Sequence, residues 1–196
     1  MNVRIGIVVV AVAVLAGSLQ AQKPGTVGIG VSITPFLRIA GDAAFPQFTS
    51  FTVPMNFGAF RLEPEIGFGR SGSKETDSEE SSSNIAIATG AYYMFGVTDG
   101  FLAYVGPRIG FLRESRSFKF TGSPEETEKR TDTFFGLALG GEHLFSSHVS
   151  LGAEARFTHI RMGETKIEGS PGPGADPDIE ASATFTDGLV FVRFYF

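Results

Sequence analysis

The chain has no cysteine and no tryptophan among its 196 residues, and only five lysines. Without cysteine there is no disulfide framework, no thiolate metal site and no thiol nucleophile. Positive charge is also scarce: 16 basic residues face 21 acidic ones, a net charge of -5. That balance excludes the basic face by which a protein grips nucleic acid. Beyond the N-terminus no stretch approaches the roughly 20 consecutive apolar residues that a membrane-spanning helix needs. What the chain has in plenty is glycine, at 25 residues, and phenylalanine, at 20. Many aromatics among many glycines, with few helix-favouring runs, point to an all-β chain.

Residues 1–21 read as a secretory signal peptide. Arg4 supplies the positive start, Ile5 to Leu15 is unbroken and apolar, small residues follow, and Leu19-Gln20-Ala21 offers a cleavage point after Ala21. An uncleaved membrane anchor is the alternative, but the run falls short of the ~20 residues that span a bilayer. No cysteine follows the cleavage point, so a lipid-anchored lipoprotein is excluded. Removal of Arg4 with the leader leaves 15 basic against 21 acidic residues, net -6, in the expected mature domain 22–196.

Eight segments of that domain alternate with period two: 26–36, 48–57, 60–70, 84–95, 101–113, 132–145, 149–161 and 184–196. Transmembrane β-strands need ~9–11 residues at a tilt of ~45°. The two faces separate cleanly. Val149, Leu151, Ala153, Ala155 and Phe157 share one side, and Ser150, Gly152, Glu154, Arg156 and Thr158 the other. Phe60, Leu62, Pro64, Ile66 and Phe68 oppose Arg61, Glu63, Glu65, Gly67 and Gly69 in the same way. In a soluble barrel the polar face is the solvated outside and carries Lys and Glu. Here it is half glycine, alanine and serine, and every lysine falls in the N-terminal linker or an expected loop. The pattern therefore reads as apolar-out and polar-in.

The connections alternate as well. Gly58-Ala59, 96–100 and 146–148 are short, whereas 37–47, 71–83, 114–131 and 162–183 are long. Tight turns at one end and long loops at the other are the pattern of outer-membrane barrels. The expected fold is an all-β, eight-stranded antiparallel transmembrane up-and-down β-barrel. The loops near Ser82 and Gly172 are expected outside the cell, and Gly58 and Ser147 in the periplasm.

Leu62-Glu63-Pro64-Glu65-Ile66-Gly67, Tyr104-Val105-Gly106-Pro107-Arg108-Ile109-Gly110, Gly136–Glu142 and 151–157 resemble strands of the small outer-membrane β-barrel family. This is the type that includes OmpX, opacity proteins and the OmpA barrel domain. Val192-Arg193-Phe194-Tyr195-Phe196 resembles that family's assembly signal, an alternating strand ending in Phe, with Val192, Phe194 and Phe196 on one face. The resemblance implies outer-membrane lipid, periplasmic chaperones and the barrel-assembly machinery as partners. Two departures stand out: the aromatic belt is almost wholly Phe, and the chain ends with its eighth segment, so no peptidoglycan-binding domain is expected after it.

The inward register collects Arg61, Glu63, Glu65, Arg108, Glu142, Glu154, Arg156 and Arg193, four arginines and four glutamates. Buried charges must be paired and hydrogen-bonded. An eight-stranded barrel is only just wide enough for side chains to fill. These residues fit a salt-bridged plug first, a narrow gated pore second, and a catalytic acid pair last, since neighbouring arginines keep carboxylates ionised. His148-Val149-Ser150 is similar to the His-x-Ser of outer-membrane lipid A deacylases, which makes a lipid-modifying enzyme a third function class, but His148 falls in a short turn. His143 and His159 face outward. Asp176-Pro177-Asp178-Ile179-Glu180 starts like a calcium loop but has Ala181 where glycine is needed. Gly25, Gly28 and Gly30 open no helix and so are no dinucleotide fingerprint. The expectation is a monomeric barrel of a Gram-negative-type envelope with a structural or surface-interaction role, an extracellular ligand on its long loops, no enzymatic activity, no cofactor, no metal and no nucleic acid.

Overall fold

The computed structural model describes residues 26–40, 48–74, 78–122, 124–168 and 181–196. The leader 1–21, the acidic run at 176–180 and Gly172 lie outside them. Ten strands follow in order: β1 (Gly28–Ala40), β2 (Phe48–Thr52), β3 (Met55–Phe57), β4 (Phe60–Lys74), β5 (Ser78–Thr98), β6 (Phe101–Phe120), β7 (Glu126–Leu144), β8 (Val149–Arg161), β9 (Thr165–Glu168) and β10 (Ser182–Tyr195). β2 and β3 are one wall strand interrupted at Val53-Pro54, and both pair with β4. Pro54 has no N–H to give to a ladder, so the strand is interrupted there. Its carbonyl instead accepts from the Gly28 amide at 2.9 Å.

Every pairing is antiparallel and joins strands adjacent in the wall. β10 returns to pair with β1, and β2 pairs with β4, so the sheet closes into a ring of eight wall strands. Closure removes the sheet edge and pairs the backbone groups that hydrocarbon cannot solvate. The outer face is apolar: Ile29, Phe51, Leu62, Ile87, Ile109, Phe135, Leu137, Leu151, Phe157 and Phe194 are all exposed. A soluble protein rarely exposes so continuous an apolar surface, and a membrane barrel requires it.

The ring is uneven. β5, β6 and β7 have 21, 20 and 19 residues, against 13 in β1 and in β8. The loops expected at 71–83 and 114–131 are largely strand. The β4–β5 ladder runs out to Lys74↔Glu79 and the β6–β7 ladder to Phe118↔Glu126. Apolar alternation stops where the lipid-facing surface stops, but hairpin strands still satisfy each other's hydrogen bonds beyond it. Ser82, Lys74, Lys119, Lys129 and Lys166 accordingly lie on strands and not in irregular loops. The other end turns tightly, at Gly58-Ala59 and at Asp99-Gly100. Gly58 (φ 67) and Gly100 (φ 78) adopt the left-handed backbone that such turns demand.

A closed ladder of this kind resists SDS until heated. Refolded protein is expected to migrate faster unboiled than boiled on a gel. Identical migration of the two samples contradicts a closed ring.

Candidate functional site

The inward side chains stack in layers along the lumen. At the short-turn end Glu142 is fully buried and is the hub. Its Oε1 accepts from Arg61 Nη2 at 2.5 Å, and its Oε2 from Arg193 Nη1 at 3.0 Å and Ser150 Oγ at 2.9 Å. The Tyr195 hydroxyl donates to the same carboxylate at 2.9 Å. Arg61 Nε also donates to Asn56 Oδ1 at 2.8 Å, and Arg193 Nη2 to Glu63 Oε1 at 2.7 Å. Two arginines thus share one carboxylate while the second acid, Glu63, neutralises the pair.

Above this lies an aromatic layer. Tyr92 and Tyr104 pack with centroids 5.1 Å apart, and Tyr104 lies 6.4 Å from Phe191. The Arg193 guanidinium sits 3.8 Å from the Phe191 centroid, a close cation–π contact. Glycines on the inward face give these rings room: a Cβ on Gly140 would meet the Tyr104 ring at 2.3 Å, and one on Gly152 the Phe191 ring at 2.2 Å.

The second charge cluster centres on Glu65. Arg156 donates to both of its oxygens, at 3.1 and 3.0 Å, and Arg108 Nη2 donates at 2.5 Å. Arg156 Nε reaches Glu154 at 2.5 Å, and the Tyr104 hydroxyl donates to Glu154 Oε2 at 2.8 Å. Bidentate arginine–carboxylate geometry is the strong form of such pairs.

Next comes a layer that the sequence reading did not contain. Ala86, Ala88, Leu112, Phe134, Ile160 and Phe185 are buried in one cluster inside the ring. The interior was expected to be polar along its length, and this segment is not. Alternation gives the direction of each side chain and not the character of each layer, and a barrel of this width is filled by apolar side chains as well as by paired charges. At the mouth the polar character returns. Buried Asp132 accepts from Arg130 Nε at 2.9 Å and from the Gly163 amide at 3.0 Å. Glu114, Arg116, Glu128, Arg130 and Thr165 line a cleft of 150 Å³ there.

All eight charged residues singled out in the sequence point into the ring, in two clusters of four: Arg61, Glu63, Glu142 and Arg193, then Glu65, Arg108, Glu154 and Arg156. Missed were Tyr195, Tyr104, Ser150 and Asn56 as hydroxyl and amide partners, and the acids Asp132 and Asp187. Asp187 is buried opposite Arg156 in the β8–β10 register, and its Oδ1 has no hydrogen-bond partner. Counting back in twos from Leu189 finds it, so the signal was present in the alternation. The four arginines therefore meet five acids in the spanning part, where the sequence reading had an equal balance.

His148 and Ser150 are not brought together. His148 is exposed in the turn and its Nδ1 pairs with Ser147 Oγ at 2.8 Å, whereas Ser150 is buried on Glu142. His143 is exposed on the outer wall, and His159 Nδ1 pairs with Thr184 Oγ1 at 2.9 Å. Among the described residues no group of three metal-ligating side chains occurs. On the terminal strand Phe194 and Phe196 are exposed outward with Val192 on the same face, and the Phe196 amide donates to the Val27 carbonyl at 2.9 Å.

A closed ring with an apolar outer face and a charged, filled lumen defines an integral outer-membrane β-barrel. The sequence matches the outer membrane protein beta-barrel domain over residues 6–185, and the chain belongs to that family. A major outer membrane protein of Thermus thermophilus has the same fold, with a TM-score of 0.61 at 9% identity over 88% of this chain and 99% of that one. Ail, the attachment invasion locus protein of Yersinia pestis, matches with a TM-score of 0.53 at 12% identity over 88% and 99%. Neisserial surface protein A matches at 0.50 and 15% identity over 87% and 95%. Among curated protein sequences none matches this chain.

Proposed function

We propose that this protein is a monomeric, non-conducting barrel of a Gram-negative-type outer membrane, delivered by a cleaved leader at 1–21, with a structural or surface-interaction role and no catalytic activity. One observation carries this reading: the lumen is occupied by two arginine–glutamate clusters with an apolar layer above them. An ion crossing such a layer loses its water with nothing to replace it. The extended β4–β5 and β6–β7 hairpins form the surface-exposed part. The second of them carries most of the mouth cleft, where a polar extracellular ligand is expected to bind on a rigid scaffold. Val192, Phe194 and Phe196 serve as the assembly signal, read by periplasmic chaperones and the barrel-assembly machinery.

Planar bilayers test the closed lumen. Refolded protein is expected to give no steady conductance; large, lasting steps establish a channel in its place. Cysteine labelling tests the orientation. In whole cells an impermeant reagent is expected to modify Ser73→Cys, at the long-hairpin end, and to spare Ser147→Cys in the short turn. The reverse pattern inverts the barrel in its membrane.

A further inference from the structure

The long hairpins carry the inward face past the apolar layer, and the register sets its side chains in rows. Asn84, Glu114, Arg130 and Thr165 form one row across β5, β6, β7 and β9. Ser82, Arg116, Glu128 and Ile167 form the next, and Glu80, Phe118 and Glu126 the one after. The mouth cleft lies over the first two rows. Each row holds an acceptor without a donor. Asn84 is 4% exposed, and its Oδ1 has no hydrogen-bond partner. Among the described residues the carboxylates of Glu128 and Glu126 have neither a hydrogen bond nor an ion pair. The two arginines of the face are already engaged: Arg130 by Asp132 and Glu114, and Arg116 by Glu80 at 3.5 Å and Glu114 at 3.7 Å.

With Asp132 beneath it, this face sets five acids, Glu80, Glu114, Glu126, Glu128 and Asp132, against two arginines, five less two leaving three negative charges in excess. Alternation turns Lys119 and Lys129 to the opposite face, where Lys129 is held by Glu168. The segments 41–47, 75–77 and 169–180 hold six acids and no lysine or arginine, so they supply no cation either. The unpaired carboxylates are strung out and do not converge as a metal chelate would. Glu126 and Glu128 are two residues apart on one face of β7, about 7 Å. Phe118 pairs with Glu126 in the register and puts an aromatic ring on the same face.

We propose that the mouth is a binding site for a linear aliphatic polyamine. One terminal ammonium enters the cleft and donates to Glu128, the next lies on Glu126, and the methylenes between them cover Phe118. The Glu126–Glu128 spacing matches the span of a butane-1,4-diamine unit, and an ammonium beside an aromatic ring gains a cation–π contact. A single exposed ion pair contributes little, so a monoamine is held weakly. Linked ammonium groups add because the second meets its carboxylate at high effective concentration. The inference rests on the reading of the mouth cleft as a ligand site and names the class of ligand.

Isothermal titration of the refolded protein in non-ionic detergent, with spermidine as the probe, tests it. Spermidine is expected to bind saturably and several-fold more tightly than butylamine at the same ionic strength. Glu128→Gln and Glu126→Gln are each expected to weaken spermidine several-fold. Both residues lack protein partners, so neither change threatens the fold, which faster migration of the unboiled sample verifies. Glu79→Gln, on the opposite face of β5, is expected to leave binding unchanged. Equal affinity for butylamine overturns the proposal, as does spermidine binding that survives both glutamate changes. Full displacement of spermidine by magnesium chloride at matched ionic strength also overturns it, since the face then holds only counterions. If citrate binds in place of spermidine and Arg116→Gln removes it, the cleft remains a ligand site and the polyamine alone is overturned. If neither binds, the ligand reading of the cleft falls as well.

Discussion

Glu142→Ala is expected to be the most destabilising single truncation in the interior. The carboxylate receives Arg61, Arg193, Ser150 and Tyr195, and it has no solvent exposure. Removing it leaves two buried guanidinium groups with Glu63 as their one remaining acid in that cluster. Breaking a buried pair by deleting one partner costs about 3–5 kcal/mol. Arg108→Ala is expected to cost less, because Glu65 keeps both hydrogen bonds from Arg156. Glu80→Ala is the surface control. Its contact with Arg116 is 3.5 Å between half-exposed groups, and such pairs contribute about 0–1 kcal/mol. The loss of denaturant midpoint, measured on the three variants refolded in the same detergent, is expected to be largest for Glu142→Ala, smaller for Arg108→Ala and smallest for Glu80→Ala. A wild-type midpoint for Glu142→Ala means that water replaces the carboxylate, and the lumen is then hydrated and not plugged.

Deletion of Phe196 is expected to have its large effect in the cell and a small one in detergent. The residue is the most exposed of the large apolar side chains described, at 79%, and its contribution to the folded wall is one rim ring and the hydrogen bond to Val27. Tyr195, which holds the interior through Glu142, stays in place. Refolding yield in detergent is therefore expected near that of the full chain. If the terminal strand is the assembly signal, the outer-membrane yield falls severely in the same deletion. Equal yields in the outer membrane remove the signal role from Phe196 and leave the barrel untouched. Phe194→Ala supplies a second reading of the same face, since it removes an outward ring without shortening the chain.

The membrane barrel was legible in the sequence because two physical constraints write themselves locally. Side chains alternate strictly along a strand, and hydrocarbon tolerates only apolar groups on the outside. Arg61, Glu63 and Glu65 could be assigned inward from their own segment alone, and so could Arg193 between Val192 and Phe194. The tight turns announced themselves through Gly58 and through Asp99-Gly100. Strand lengths beyond the belt did not, because the Ser-, Glu- and Lys-rich ladders of β5, β6 and β7 carry no apolar period to read.

The tertiary structure decided everything that depends on which strands face one another across the lumen. Glu142 meets Arg61 over a sequence separation of 81 residues and Arg193 over 51. Alternation says that all three point inward but not at what height, since height is set by the stagger of the closed ring. The same stagger brings Phe134, Leu112, Ile160 and Phe185 into one apolar layer. Direction in or out is a property of each strand, and the sequence determines it. Partnership across the lumen is a property of closure, and only the folded ring determines that.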